Sequence, residues 1–220
     1  MSDDPYLELR EEMVETQLRK RGVKDEQVLR AMAAVPRHEF VPPQSVGLAY
    51  ADEPLAIGGG QTISQPYIVA AMTEALRLCG SERVLEIGTG CGYQAAVLSL
   101  LSREVYSIEC RPELARSAAE RLQRLGFKNV HVHCGDGSLG LKEFAPYDAI
   151  LVAAAAPSVP KPLVEQLNES GRMIVPIGTE EHQQLLLLTR HGNDYASELR
   201  EGCRFVPLLG RYGWKDWEIL

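Results

Sequence analysis

The feature that most constrains the fold is an alternation of short apolar runs with amphipathic stretches, which begins after residue 80. The amphipathic stretches have helical periodicity, and apolar strands separated by such helices are typical of a parallel sheet covered on both faces. The predicted strands are 83–88, 104–109, 129–136, 147–155 and 171–178. The helices predicted between them are 93–101, 112–125 and about 160–167.

Two further apolar runs, about 183–190 and 197–206, are separated only by the short turn HGND at 191–194. So short a connection joins antiparallel strands, because parallel strands need a crossover of about a dozen residues or more. We therefore predict an α/β fold, with a doubly wound, mostly parallel, seven-stranded Rossmann-like sheet and an antiparallel hairpin at one edge.

The residues before the sheet predict a helical N-terminal extension. Helices are expected over 7–21 and 25–34, with Gly22 ending the first. At 220 residues the chain has the length of one domain. Its expected parts are the N-terminal extension (1–79), the α/β core (80–180), and the antiparallel edge strands with a C-terminal tail (181–220).

Charge and cysteine usage limit the partners and the compartment. The formal net charge of −7 argues against a broad basic face of the kind that binds nucleic acids. The five cysteines form no Cys-x-x-Cys pair, which favours reduced thiols in the cytoplasm. The acidic N-terminus lacks the apolar stretch of a signal peptide, and no apolar run has membrane-spanning length. We expect a cytoplasmic protein with neither nucleic-acid nor membrane partners.

A glycine-rich loop follows the first predicted strand of the core, in the segment VLEIGTGCGY. Glycines at 88, 90 and 92 allow a ligand to approach the backbone closely at the carboxyl end of a parallel strand. The dinucleotide fingerprint G-x-G-x-x-G fails here, because its third glycine is replaced by Tyr93. This argues against an NAD-dependent oxidoreductase, which nevertheless stays open as an alternative.

Acidic residues end the next two predicted strands. Glu109 is placed where a carboxylate accepts hydrogen bonds from both ribose hydroxyls of a nucleoside. Asp136 and Gly137 follow the third strand, where Asp136 can accept from the exocyclic amine of adenine. Either acid alone fits an ordinary loop, but acids at successive strand ends beside a glycine loop favour an adenosine site.

The motif E-x-G-x-G-x-G, the strand-ending acid and GDG at 135–137 together resemble the class I S-adenosylmethionine-dependent methyltransferases. The resemblance implies S-adenosyl-L-methionine as cofactor, S-adenosyl-L-homocysteine as product, and no metal. Glu86 would lie below the glycine loop and help to order it. The cofactor-binding residues that it implies in the core are Glu86, Gly88, Thr89, Gly90, Glu109, Cys110, Asp136 and Gly137.

The segment GGGQTISQPYIVA at 58–70 narrows the resemblance. Together with PRHEFV at 36–41, AAAAP at 153–157 and RFVPLLG at 204–210, it resembles the protein-L-isoaspartate O-methyltransferase family over nearly the whole chain. The resemblance makes Ser64 the active-site serine and places Gln61, Thr62 and Ile63 along the methionine end of the cofactor. Residues 206–210 are expected to form part of the peptide-binding wall.

The implied reaction methylates the free α-carboxylate of L-isoaspartyl residues in damaged proteins and peptides, giving an ester that leads through a succinimide to aspartate. Residues 153–157 offer no polar side chain, which suits an acceptor that is already ionised. Ser64, just before Gln-Pro, also fits a helix N-cap, so positioning of the carboxylate and capping are both expected. A methyltransferase with a small-molecule or RNA acceptor stays open. We expect a monomer.

Overall fold

The computed structural model describes residues 4–192 and 194–214. The turn expected at 191–194 includes residue 193, and the expected tail includes 215–220, both outside the described residues. The strands are β1 Leu55–Gly58, β2 Gln61–Ile63, β3 Arg83–Ile87, β4 Glu104–Glu109, β5 Val130–Cys134, β6 Tyr147–Val152, β7 Leu167–Gly178, β8 Gln183–His191 and β9 Asp194–Cys203. The α-helices are α1 Leu7–Glu12, α2 Glu26–Ala34, α3 Pro66–Leu76, α4 Tyr93–Ser99, α5 Pro112–Arg124 and α6 Lys161–Glu165.

Strands β3 to β9 form one sheet in the order β5-β4-β3-β6-β7-β8-β9. The pairs β3–β4, β4–β5, β3–β6 and β6–β7 are parallel, whereas β7–β8 and β8–β9 are antiparallel. This confirms the predicted seven-stranded, mostly parallel sheet with an antiparallel edge. Strand β7 starts earlier than predicted, at Leu167 rather than 171, because Leu167 pairs with Tyr147 across a register shift.

The sheet positions a ligand site between β3 and β6. From β3 the chain builds outward through β4 and β5, then returns to the other side of β3 to form β6 and β7. This reversal leaves a crevice at the carboxyl ends of the strands, which is where open α/β sheets bind ligands. The core lies on both faces of the sheet, with Val84 and Leu151 in one buried cluster and Leu85 and Ile150 in the other.

The N-terminal extension is helical, but its first helix is not uniform. An α-helical turn at Leu7–Glu12 continues as a π-helix at Met13–Leu18 and a short 3₁₀ turn at Arg19–Arg21. Gly22 ends it with a left-handed φ of 101°. Helix α2 follows as predicted, with Asp25 capping its N-terminus. Its residues Val28, Leu29 and Met32 are buried, as is Val35, which directly follows the helix.

The three glycines at 58–60 form the turn of a small antiparallel hairpin, β1–β2, that the sequence did not reveal. All three have positive φ angles, of 95°, 59° and 71°, which side-chain-bearing residues rarely adopt. The turn reverses the chain and sets Gln61–Ile63 into strand β2, directly ahead of α3. The glycines therefore serve a tight turn that directs the following segment toward the sheet.

Candidate active site

A cleft, here called the inner cleft, lies at the carboxyl ends of β3, β4 and β6. Strand β2, the glycine loop and the segment after β9 close around it. Its lining includes Gln61, Thr62, Ile63, Ser64, Gly88, Thr89, Gly90, Cys91, Tyr93, Gln94, Ile108, Glu109, Cys110, Gly137, Ala153, Ala154 and residues 205–209. Ten of the twelve predicted site residues thus come together around one space, and Glu86 and Asp136 are the two that do not line it.

The glycine loop is fixed by hydrogen bonds that its main-chain amides donate to the neighbouring strand. Gly88 N donates to Ile108 O at 2.8 Å, and Gly90 N donates to Glu109 Oε2 at 2.8 Å. Gly88, Gly90 and Gly92 have positive φ angles of 93°, 53° and 92°, so the loop curls in a way that other residues would strain. The sequence pattern predicted the position of this loop, and the hydrogen bonds from the loop to β4 stabilise its conformation.

Glu86 lies beneath the loop rather than in the cleft. Its Oε2 accepts a hydrogen bond from Ser107 Oγ, and the Ser107 hydroxyl is 2.5 Å from Thr89 Oγ1 in the loop. Burial raises the pKa of Glu86 to about 8, the nearby Glu109 adds to the rise, and the Ser107 bond opposes it. Glu86 therefore supports the loop through Ser107, and a direct contact with a cofactor stays a prediction.

Glu109 lies at the end of β4, with its carboxylate held by three donors. Its carboxylate is 5% exposed and lines the cleft. Oε2 accepts from Gly90 N, while Oε1 accepts from Arg111 N at 3.0 Å and from the Cys110 thiol at 3.5 Å. A carboxylate oxygen has two lone-pair sites, so Oε2 can accept one further hydrogen bond, and Oε1 can accept one in place of the long bond from the Cys110 thiol. Glu109 can therefore receive two hydroxyl groups only when the Cys110 thiol no longer donates to it.

The loop after β5 approaches the cleft through Gly137, not through Asp136. A Cβ on Gly137 would lie 2.5 Å from Ile87 Cγ2, so only glycine allows this close packing against the end of β3. The Asp136 carboxylate accepts from Ser138 N at 2.9 Å, Ser138 Oγ at 2.6 Å and Arg211 N at 2.8 Å. Asp136 thus ties the C-terminal segment to this loop, and its proposed contact with adenine stays a prediction.

Ser64 does not cap a helix, contrary to that expectation. Helix α3 begins at Pro66 with Gln65 as its N-cap residue, and the Gln65 side chain makes no capping hydrogen bond. The capping bond comes instead from Asp52, whose Oδ1 accepts from Tyr67 N at 2.9 Å. Among the described residues Ser64 Oγ has no hydrogen-bond partner, so the hydroxyl is available at the cleft.

A second cleft, here called the outer cleft, begins at the same serine. Its lining combines Thr62, Ser64, Gln65 and Ala153 with residues from the ends of β7, β8 and β9. Thr62, Ser64, Ala153, Phe205 and Val206 line both clefts. Ligands in the two clefts would therefore meet beside Ser64.

The segment Arg204–Leu208, here called the strap, separates the two clefts after β9. It crosses the sheet ends and pairs with the residues after β6, where Ala155 N donates to Val206 O at 2.8 Å and Leu208 N donates to Ala155 O at 2.7 Å. Phe205 was not among the predicted site residues, because a lone aromatic carries no recognisable pattern. The sequence placed it in the last predicted strand, about 197–206, but that strand ends at Cys203. Of the wall expected at 206–210, residues 206–209 line the inner cleft and only Val206 also lines the outer one.

Comparison with known proteins agrees with this geometry. The family model of protein-L-isoaspartate(D-aspartate) O-methyltransferase matches residues 8–213. The chain belongs to this family. A protein-L-isoaspartate O-methyltransferase of Dictyoglomus thermophilum is 52% identical over 211 residues, which cover 96% of each chain. Another, from Pelobacter propionicus, is 57% identical over 207 residues, covering 93% of this chain and 92% of the relative.

Solved structures of the family share the fold. One protein-L-isoaspartate O-methyltransferase superposes with a TM-score of 0.83 at 35% identity, covering 93% of this chain and 67% of its own. A Plasmodium falciparum structure of the same class, in complex with S-adenosyl-L-homocysteine, gives 0.77 at 26% identity, with 91% and 98% covered. The chain therefore has the fold of a class I S-adenosylmethionine-dependent methyltransferase.

The described residues contain neither a metal-binding cluster nor a membrane-spanning helix. Over 4–192 and 194–214, no group of three or more His, Cys, Asp or Glu side chains is placed to hold a metal ion. No helix in the same ranges is long and apolar enough to cross a membrane.

Proposed function

We propose that the inner cleft holds S-adenosyl-L-methionine, that the outer cleft holds an isoaspartyl peptide, and that the methyl group passes between them beside Ser64. The reaction is that of the family: methylation of the free α-carboxylate of L-isoaspartyl residues in damaged proteins and peptides. The observation that supports this arrangement most is the shared border of the two clefts at Thr62 and Ser64.

The residues of the inner cleft fit the cofactor. Glu109 would accept the two ribose hydroxyls, and the curled loop at Gly88–Gly90 and the close approach at Gly137 would leave room for the nucleoside. Gln61, Thr62 and Ile63 would lie along its methionine end, and Thr89 and Cys110 would contact it from the loop and from the end of β4. When bound, S-adenosyl-L-methionine supplies an electrophilic methyl group on a positively charged sulfur.

The chain's residues need to orient the acceptor rather than deprotonate it. A free α-carboxyl has a pKa of about 3.5, so it is ionised at neutral pH and needs no general base. Ala153, which lines both clefts, gives space without competing polar groups. The free Ser64 hydroxyl would donate a hydrogen bond to one carboxylate oxygen and leave the other directed at the methyl group. Orientation of this kind lowers a barrier by up to about 7–11 kcal/mol.

The proposal also includes the setting of the reaction. The ester product leads through a succinimide to normal aspartate, which makes the activity one of protein repair. We place the protein in the cytoplasm as a monomer, with neither nucleic acid nor membrane as partner. The net charge of −7 supports the absence of a nucleic-acid partner, and the five free thiols support the cytoplasm.

A matched peptide pair tests the function. The purified chain is incubated with methyl-labelled S-adenosylmethionine and two peptides that differ only in isoaspartate or aspartate at one position. We expect base-labile label in the isoaspartyl peptide alone. Equal labelling of both peptides, or label only in an added small carboxylate or RNA, would overturn the proposal.

A further inference from the structure

The wall between the two clefts is held at its centre by one buried side chain, Gln183, the first residue of β8. Gln183 is 8% exposed. Its Oε1 accepts from Phe205 N at 2.7 Å, and its Nε2 donates to Phe205 O at 3.3 Å. One side-chain amide thus satisfies both main-chain groups of Phe205, as a neighbouring strand would in a sheet.

This pair of hydrogen bonds between the Gln183 side chain and the Phe205 main chain, here called the clamp, matters because of where Phe205 lies. The strap leaves β9 after Cys203 and is next anchored by main-chain bonds at Ala155. Between these two anchors, Gln183 supplies the bonds to the Phe205 main chain. Phe205 lines both the inner and the outer cleft, so its position sets the width of both.

We propose that Gln183 is a positioning residue, which fixes Phe205 and the strap and thereby sets how the outer cleft holds the acceptor peptide. This inference rests on the proposed function for its kinetic consequence, but the clamp itself can be measured without activity. The Gln183 amide is required both as acceptor and as donor, because a buried main-chain N–H or C=O without a hydrogen-bond partner lowers the stability of the fold.

The kinetic test compares Gln183→Glu and Gln183→Met with the unaltered chain. At about pH 8 the carboxylate introduced in Gln183→Glu is ionised. It can still accept a hydrogen bond from Phe205 N, but it has no proton to donate to Phe205 O. We therefore expect kcat/KM for the isoaspartyl peptide to fall about tenfold. Methionine keeps the length and loses both bonds, and we expect a similar loss.

Acid should rescue only one variant. A buried carboxyl has a pKa above its usual value of about 4.3, so at about pH 5.5 a growing fraction of Glu at 183 carries the proton that can donate to Phe205 O. At this lower pH we expect kcat/KM of Gln183→Glu to be only about threefold or less below that of the unaltered chain measured at the same pH. We expect kcat/KM of Gln183→Met to stay about tenfold below it. The charged and titratable residues that line the outer cleft with Gln183 are Glu181, His182, Cys203 and Arg204, and Glu180 lines an adjoining pocket with Gln183 and Phe205. These groups are the same in all three proteins.

Amide hydrogen exchange gives the second readout. In the unaltered chain the Phe205 amide should be protected, and in Gln183→Met it should exchange about tenfold faster while the strands of the sheet keep their protection. Gln123→Glu, an exposed change of the same kind on α5, is the control and should alter neither readout. The clamp would be contradicted if the Phe205 amide were as well protected in Gln183→Met as in the unaltered chain. It would also be contradicted if the loss of kcat/KM in Gln183→Glu were the same at both pH values. An unaltered chain that fails to methylate the isoaspartyl peptide would sink the proposed function, while exchange at Phe205 would still decide the clamp.

Discussion

The inner and outer clefts share a border but are built differently. The inner cleft is formed by loops that follow the central parallel strands. Its glycine loop is held to the end of β4 because Gly88 N donates to Ile108 O and Gly90 N donates to the Glu109 carboxylate. The outer cleft is formed by the hairpin β1–β2, the strap and the sheet edge, where Leu199 is 59% exposed. The cofactor is one constant molecule, whereas isoaspartyl sites occur in many sequences. A fixed cleft suits the first, and an open cleft with few fixed contacts suits the second.

Because the two clefts are built separately, substitutions in the inner cleft should weaken cofactor binding without weakening binding of the acceptor peptide. The largest such effect is expected at Glu109. Gln in its place loses the charge that two ribose hydroxyls would bind. Because hydrogen bonds to charged groups contribute about 1.5–3 kcal/mol each, we expect the Kd for S-adenosylhomocysteine to rise about 100-fold in calorimetry.

The control for that change is Glu104→Gln, at the opposite end of the same strand, where the carboxylate contacts His131 Nε2 at 2.6 Å. It should leave the Kd near that of the unaltered chain. Equal Kd values in Glu109→Gln and the unaltered chain would show that the inner cleft does not bind ribose at this carboxylate.

The buried support of the inner cleft should appear as a pH-dependent stability. Since burial raises the pKa of Glu86 to about 8, the folded chain keeps a proton that the unfolded chain releases above about 4.3. The free energy of unfolding should therefore fall as pH rises between these two values and level off above the higher one. Glu86→Gln mimics the protonated form, so between about pH 5.5 and about pH 7.0 it should gain about 2 kcal/mol relative to the unaltered chain. Urea unfolding curves measure this, and a constant difference at both pH values would contradict it.

The border residue Ser64 should separate turnover from cofactor binding. In Ser64→Ala we expect kcat/KM for the isoaspartyl peptide to fall about tenfold, because one hydrogen bond to the carboxylate is lost, while the Kd for S-adenosylhomocysteine stays unchanged. Ser117→Ala, on the exposed face of α5, is the control. A parallel loss of cofactor affinity would place Ser64 within the inner cleft alone.

How much the sequence could predict follows the same division. The parallel strands, the glycine loop and Glu109 were predictable, because hydrophobic periodicity and the rule for strand ends are local or fold-wide patterns. The strap was not, since the bonds that hold it join Phe205 to Gln183, 22 residues away, through a side chain. The N-cap was misplaced for the same reason: Asp52, 15 residues from Tyr67, supplies the capping bond that Ser64 was expected to make.

The smallest effect is expected at the hairpin turn. Gly60 has a φ of 71° with open space around it, so alanine there meets no clash but adopts a backbone conformation that costs about 1 kcal/mol. We expect the KM for the peptide to rise about threefold with unchanged cofactor affinity, since the turn directs β2 toward Ser64. Gly47→Ala, which also meets nothing within 4 Å and has no left-handed φ, is the matched control. Equal effects of the two substitutions would show that the left-handed turn at Gly60 does not influence peptide binding.

The most direct test of the two-cleft arrangement is a crystal structure of the chain with S-adenosylhomocysteine and an isoaspartyl peptide. We predict the ribose hydroxyls on Glu109, the isoaspartyl α-carboxylate within hydrogen-bonding distance of Ser64 Oγ, and the peptide running through the outer cleft past Phe205. A peptide bound away from Ser64, or a cofactor product outside the inner cleft, would contradict the account.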